Sequence, residues 1–256
     1  STRKESSAAS DVYKRQLLNG LNEYLWRYPQ NGFVSNLQSQ ASLAVACTYM
    51  PREATISQSK QTYRIFKTTS SLKTSTMRLT SARSALCLID VQEKLIPTIP
   101  TGAQIITECC RLVEAATLFD TPVIFTEQYR KGLGPTVEPL ATKLQHQKPI
   151  EKMAFSCCGN STFLREIPEG TDTLVVCGIE THICVAQTAL DLLQQGYRVC
   201  IAADAVGSRR KHDHQIALRR LEGSGAMIST TEAILFEWCD TAKHPAFKKM
   251  CELIAK

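Results

Sequence analysis

The chain has 256 residues, enough to bury a sizeable hydrophobic core in one domain or two. Its formal net charge is +6, but residues 1–83 carry 12 basic and 4 acidic side chains, whereas residues 84–256 carry 18 basic and 20 acidic ones. The basic excess therefore lies outside the part with a folded pattern, which argues against nucleic-acid binding. The sequence contains no run of 18 apolar residues, so no membrane span is predicted.

The cysteine usage favours a reducing compartment over a disulfide framework. There are 11 cysteines, an odd number, and several lie in apolar runs, as Cys87 and Cys177 do. The adjacent pairs Cys109-Cys110 and Cys157-Cys158 do not have the spacing of zinc ligands. We expect most of these thiols to be small buried side chains or surface thiols.

Residues 1–83 are rich in Ser, Thr, Gln and basic residues and show no sustained helical or strand periodicity, which predicts a mostly disordered N-terminal extension. The segment 51–83 has seven basic residues and a single acidic one and resembles a mitochondrial transit peptide. Residues 6–16 resemble a translated adaptor, which would make the leading residues an artefact and the true start Met50 or Met77. The predicted location is accordingly the cytoplasm or, with a transit peptide, the mitochondrion.

From residue 84 onward, short apolar runs alternate with longer segments of helical spacing. Most of the apolar runs are continuous, as in strands that are buried on both faces of a parallel sheet. The predicted strands are 85–90, 122–126, 173–178, 197–203 and 226–229. The predicted helices are 103–119, 160–167, 182–195, 213–222 and a closing helix at 245–255. This order predicts a single doubly wound α/β domain over residues 84–256.

Three side chains at or near the predicted strand ends could form a site, because ligands of open parallel sheets bind outside the carboxyl ends of the strands. Asp90 directly follows the first strand, and Lys152 lies on the approach to the helix at 160. Cys184 lies in the first turn of a helix, where the helix dipole should lower the pKa of a thiol. Gly178, just before this turn, permits a close backbone approach or an unusual dihedral.

Each of these residues also has an ordinary structural interpretation. Asp90 could be a turn residue, Lys152 a solvated surface lysine and Cys184 a small buried side chain. The case for a site depends on the three occurring together.

The motifs LIDVQ with Asp90, PIEKMAFSC with Lys152 and VVCGIETHICV with Cys184 occur in this order. Over residues 84–240 the sequence thereby resembles the isochorismatase-like cysteine hydrolase family, which includes nicotinamidases and carbamoylsarcosine amidases. Within that family it is most similar to the isochorismatase domain-containing proteins. The resemblance implies a three-layer α/β/α sandwich with a mainly parallel sheet, and an Asp-Lys-Cys catalytic triad.

The implied roles agree with the chemistry of the side chains. Cys184 would attack a carbonyl carbon, Asp90 would carry the proton, and Lys152 would stabilise the thiolate and orient the carboxylate. The resemblance also implies a cis peptide at Ile179–Glu180, with the backbone amides of Glu180 and Cys184 forming an oxyanion hole. It further implies a homo-oligomer.

Metal-dependent nicotinamidases of the family carry a D-x-H pair and a further histidine after the second strand. Residues 125–135 read FTEQYRKGLGP here, so we predict a site without a metal and without another cofactor. His212 and His214 stand two residues apart, which we interpret as a solvated helix start. Five residues are predicted substrate-pocket residues by position, although each could equally serve packing: Gln92, Leu95, Tyr129, Phe155 and His182.

The predicted function is a metal-independent cysteine hydrolase that acts on a small-molecule amide or related C–N bond through a thioester. The alternative is a catalytically vestigial binding or scaffolding protein of the same fold. A redox-active thiol protein is not supported, because the sequence has no C-x-x-C motif.

Overall fold

The computed structural model describes residues 77–255, so the predicted disorder of residues 1–76 lies outside the described residues. Six strands form one sheet: β1 (Ser84–Ile89), β2 (Val123–Gln128), β3 (Ile150–Lys152), β4 (Thr173–Ile179), β5 (Arg198–Gly207) and β6 (Met227–Ser229). Their order is β3-β2-β1-β4-β5-β6, and all neighbours are parallel. The strand order therefore reverses between β1 and β4, the position at which a doubly wound sheet opens a crevice for ligands.

Eight α-helices occur in this part of the chain: α1 (Gly102–Leu118), α2 (Arg130–Leu133), α3 (Leu140–Lys143), α4 (Ser161–Glu166), α5 (Ala186–Gln194), α6 (Lys211–Gly223), α7 (Thr231–Cys239) and α8 (Phe247–Ile254). Short 3-10 turns lie at Ser81–Arg83, Ile96–Thr98 and Cys157–Gly159, and a π-helical turn, Thr181–Val185, leads directly into α5. Across residues 77–255, no helix is long and apolar enough to cross a membrane.

The sheet separates two hydrophobic cores, because successive strand residues point to opposite faces. Leu86 and Leu88 of β1 belong to the core that α1, α7 and α8 cover. Ala85, Cys87 and Ile89 belong to the other core, which α4, α5 and α6 cover. All six residues of β1 are buried, as the continuous apolar pattern predicted. The three-layer α/β/α sandwich is thus confirmed.

Several elements differ from the prediction. The edge strand β3 and the helix α7 were not predicted, and β5 continues to Gly207, four residues beyond the predicted end. Packed structure also begins before residue 84, since Leu79 is buried and residues 81–83 form a 3-10 turn. Strand β3 is missing from the prediction because three residues at a sheet edge are too few to show a period.

Gly178 brings the ends of β1 and β4 into close approach. Its φ is +114°, and a Cβ atom at this position would lie 2.1 Å from the carbonyl oxygen of Ile89. A side chain would therefore push apart the two strands that carry Asp90 and the turn before Cys184.

Candidate functional site

Asp90 and Lys152 form a buried ion pair at the carboxyl end of the sheet. The Lys152 Nζ donates to Asp90 Oδ2 at 2.6 Å, and neither side chain is exposed to solvent. Asp90 directly follows β1 with a φ of 52°, a left-handed conformation that Asp tolerates better than most residues. Lys152 is the last residue of β3, two strands away, so the pair reaches across the end of β2.

Further acceptors surround the ammonium group of Lys152. Gln128 Oε1 accepts from Nζ at 2.8 Å, and the carbonyl oxygens of Phe155 and Ala154 lie at 3.0 and 3.3 Å. Because an ammonium has three hydrogens, these groups and Asp90 use its full donor capacity. Burial alone would lower the pKa of Lys152, but the Asp90 carboxylate and nearby thiols more than offset it and raise the pKa. Lys152 therefore acts on other groups through its charge.

The second oxygen of the carboxylate is held by Thr126, a residue that the sequence prediction missed. The Thr126 hydroxyl donates to Asp90 Oδ1 at 2.7 Å and is buried. Thr126 and Gln128 both lie at the carboxyl end of β2. The strand-end position that indicated Asp90 would have indicated these two residues as well.

Cys184 lies in the π-helical turn between β4 and α5 and is only 7% exposed. Burial raises the pKa of its thiol to about 12; the negative charge of Asp90 adds to the rise, and Lys152 opposes it. The predicted lowering of this pKa is therefore wrong, since burial and a neighbouring carboxylate outweigh the helix dipole. The resting thiol is protonated at neutral pH and has a carboxylate nearby.

A second thiol, Cys157, belongs to the wall of the same site. Its Sγ lies 3.8 Å from Thr126 Oγ1, and its backbone N–H donates to Thr188 Oγ1 at 2.9 Å. Burial alone would raise the pKa of Cys157, but a hydrogen bond from Cys87 and the charge of Lys152 lower it. Cys157 is fully buried, as we expected for most of the cysteines.

Of the predicted pocket residues, Gln92 is better explained as a structural contact. Its amide accepts from the Gln128 N–H at 2.7 Å and donates to the carbonyl oxygens of Gln128 and Gly134 at 3.1 and 2.6 Å. It is fully buried and joins the ends of β1 and β2. Leu95 is half-buried and packs on the core under α1.

Tyr129 and Phe155 lie beside Lys152, with exposed side chains. The Tyr129 N–H donates to the Lys152 carbonyl oxygen at 3.0 Å, and its ring packs over Gly132. Phe155 holds Lys152 through its backbone, as described above. Their role toward a substrate stays a prediction.

The turn before Cys184 has the expected backbone, since the Ile179–Glu180 peptide is cis. The oxyanion role of the Glu180 and Cys184 amides stays a prediction. His182 Nδ1 lies 2.9 Å from Ser208 Oγ, so this predicted pocket residue bonds to the protein. His214 is not a solvated helix-start residue, because it is half-buried and its Nδ1 lies 2.9 Å from Thr181 Oγ1.

Over residues 77–255, no group of three or more His, Cys, Asp or Glu side chains is placed so that it could hold a metal ion. The ionisable groups of the site are one carboxylate, one ammonium and two thiols, arranged around the end of β2. Such a set can move a proton between a thiol and a carboxylate beside a fixed positive charge.

Comparison with known proteins gives a consistent family assignment. The family model described as "Isochorismatase domain" matches residues 84–233. Isochorismatase domain-containing protein 2 of Danio rerio is 42% identical over 180 residues, covering 70% of this chain and 90% of that protein.

Solved structures share the fold. A structure described as MAR1 ribonuclease from Caenorhabditis elegans has a TM-score of 0.67 and 38% identity and covers 70% of this chain and 93% of its own. A protein from Escherichia coli, described as an octameric hydrolase of unknown specificity, has a TM-score of 0.61 at 23% identity and covers 70% and 96%. At that identity the second likeness shows the fold alone.

Proposed function

Because this chain belongs to the isochorismatase family, we propose that it is a cysteine hydrolase that cleaves a small amide or related C–N bond. The observation that carries the proposal is the fully buried Lys152–Asp90 pair, 2.6 Å apart, beside the Cys184 thiol. A buried ion pair is costly to desolvate, so an arrangement that places one next to a thiol is better explained by chemistry than by stability.

In the first half of the reaction, Asp90 takes the proton of the Cys184 thiol as the sulfur attacks the carbonyl carbon. The tetrahedral adduct collapses when Asp90 returns this proton to the leaving nitrogen, and the products are a thioester on Cys184 and a free amine. Lys152 remains an ammonium throughout, and its positive charge offsets the negative charge of the Asp90 carboxylate or of the Cys184 thiolate, whichever is ionised.

In the second half, Asp90 removes a proton from water while the water oxygen attacks the thioester. The second adduct releases a carboxylic acid, and the proton returns to the Cys184 sulfur. The sum is one amide and one water giving one acid and one amine. No metal ion or cofactor is needed for either half.

The decisive experiment compares the wild type with Cys184→Ala on a panel of primary and N-substituted small amides. We expect the wild type to release amine and to show, after acid quenching, an intact mass increased by the acyl group. Both signals should be lost in Cys184→Ala, because the thioester cannot form. Cys251→Ala, which changes a partly buried thiol outside the site, is the control and should keep both.

Hydrolysis of the best amide at an unimpaired rate by Cys184→Ala would refute the proposal. The alternative, a vestigial binding or scaffolding protein, predicts neither turnover nor an acyl adduct with any amide of the panel. A homo-oligomer is also part of the proposal, because the resemblance to the family implies one.

The C. elegans neighbour is described as a ribonuclease, but two features here favour an amide over RNA. Residues 84–256 carry 18 basic and 20 acidic side chains, whereas RNA binding depends on an excess of positive charge. A thiol nucleophile is also suited to attack on a carbonyl carbon. An RNA oligonucleotide added to the panel should remain intact.

A further inference from the structure

The turn before the nucleophile makes a series of polar contacts with one distant segment. We call residues 180–182 the nucleophile turn and residues 208–214 the clamp segment. The clamp segment contains the last residues before α6 and the first turn of that helix. All three side chains of the nucleophile turn bond to it, although the two segments are about 30 residues apart in sequence.

Arg209 makes the contact to Glu180. Its backbone N–H donates to Glu180 Oε2 at 2.9 Å, and its Nε lies 3.1 Å from each carboxylate oxygen. Glu180 is only 7% exposed, so its carboxylate is committed to this ion pair. Because Glu180 is the first residue of the nucleophile turn, the contact fixes the start of that turn.

The next two contacts involve histidines. Thr181 Oγ1, which is fully buried, lies 2.9 Å from Nδ1 of His214. His182 Nδ1 lies 2.9 Å from the hydroxyl of Ser208, and its Nε2 lies 3.9 Å from an oxygen of Asp213. Three consecutive residues are therefore held from one side, and Cys184 follows two residues later.

We infer that Ser208, Arg209 and His214 are positioning residues, which hold the nucleophile turn so that the Cys184 thiol stays enclosed next to Asp90. The inference builds on the proposed function, but its physical content concerns the surroundings of one thiol. The groups that face this thiol are Asp90, Lys152 and Cys157. If the contacts of the clamp segment are lost, the Cys184 thiol should become more exposed to solvent and lose its alignment with the Asp90 carboxylate.

This leads to an unusual pair of effects. Gain of solvent moves the pKa of Cys184 down toward that of a free cysteine, about 8.5, so a small alkylating reagent should react faster at pH 8. Loss of alignment should slow amide hydrolysis, since misplacement by about 1 Å can cost roughly 100-fold in rate. Both rates are measured where circular dichroism shows each variant to be folded, because an unfolded population would also expose the thiol and lack the site.

The test uses the full chain and iodoacetamide, with the modified peptide quantified by mass spectrometry from pH 6 to 11. His214→Phe removes the hydrogen bond, and the ring has room because His214 lines a cavity of about 430 Å³. His214→Asn keeps a polar group near the position of Nδ1. His212→Gln is the matched control, two residues away in the same helix and exposed.

We expect the alkylation rate of Cys184 between pH 8 and 10 to rise about tenfold or more in His214→Phe and to stay near the wild type in the other two variants. Coincident profiles for His214→Phe and His212→Gln would overturn the inference, as would a profile of His214→Asn like that of His214→Phe. If His214→Phe does not fold, Ser208→Ala, which removes one hydroxyl from the clamp, replaces it under the same criteria.

Alkylation needs no substrate, so this result is separate from that of the amide panel. Faster alkylation in His214→Phe without any amide turnover would support the clamp and count against the proposed hydrolase. Amide turnover that depends on Cys184, with alkylation rates equal to that of the wild type, would support the hydrolase and count against the clamp.

Discussion

Replacing Lys152 by Met tests whether the buried pair behaves as the structure requires. The substitution removes the charge and leaves the Asp90 carboxylate buried with Thr126 as its remaining hydrogen-bond donor among the contacts described above. Breaking a buried ion pair from one side typically costs about 3 to 5 kcal/mol. For a domain of this size that corresponds to a fall in melting temperature of roughly 6 to 20 °C.

The assay is urea unfolding of the wild type, Lys152→Met, Asp90→Asn and the double variant. In the double variant no buried charge is left unpaired, so its loss should be smaller than the sum of the two single losses by about 1 kcal/mol or more. Lys148→Met, at an exposed lysine four residues earlier, is the control and should change little. A loss below about 1 kcal/mol in Lys152→Met would refute this account of the pair.

The sign of the pH dependence follows from the raised pKa of Lys152. A group whose pKa is higher in the folded state contributes its stability fully below the unfolded pKa, about 10.4 for lysine. That contribution is lost as the pH rises through the folded value. When the pH is raised from 9 to a value above the folded pKa of Lys152, the wild type should therefore lose more unfolding free energy than Lys152→Met.

Two further substitutions test the surroundings of the pair by the same unfolding assay. Gly178→Ala should cost about 3 kcal/mol or more of unfolding free energy, since its Cβ would lie 2.1 Å from a backbone oxygen. Gly170→Ala is the control: its φ is also positive, at +88°, but no atom lies within 4 Å, so it should cost only about 1 to 2 kcal/mol. Equal losses would contradict the close approach of β1 and β4. Thr126→Val should cost about 1.5 to 3 kcal/mol of unfolding free energy by removing a hydrogen bond to a carboxylate, and Thr126→Ser should retain most of the stability. An unchanged unfolding free energy in Thr126→Val would show that Asp90 does not depend on this hydroxyl.

The sequence allowed the central strands to be predicted because their burial on both faces leaves an unbroken apolar run. Strand β3 has only one buried residue, Lys152, and no such run. Helix α7 buries Ile234, Leu235 and Trp238 on one face but also carries Phe236, which is 46% exposed, so its apolar residues do not form the single stripe by which an amphipathic helix is recognised.

The site was predictable where one residue stands next to a recognisable element, as Asp90 and Cys184 do. The contacts of Gln92, Thr126 and the clamp segment were not, because they join residues 26 to 42 positions apart and leave no period in the sequence. The predicted direction of the Cys184 pKa shift was wrong for a related reason. The helix start could be located from sequence, but the degree of burial and the nearness of the carboxylate depend on the packed structure.

The raised pKa of Cys184 and the pairing of Lys152 with Asp90 have one electrostatic explanation. With a neutral thiol, the buried site carries one negative and one positive charge and is neutral overall. Ionisation of the thiol to solvent would leave a net negative charge in a buried site, which desolvation opposes. Transfer of the same proton to Asp90 gives a thiolate, an ammonium and a neutral carboxyl group, so the net charge does not change. Under the proposed mechanism, the lysine therefore makes internal proton transfer the accessible route to the nucleophile, and the thiolate forms when a carbonyl carbon is present to receive it.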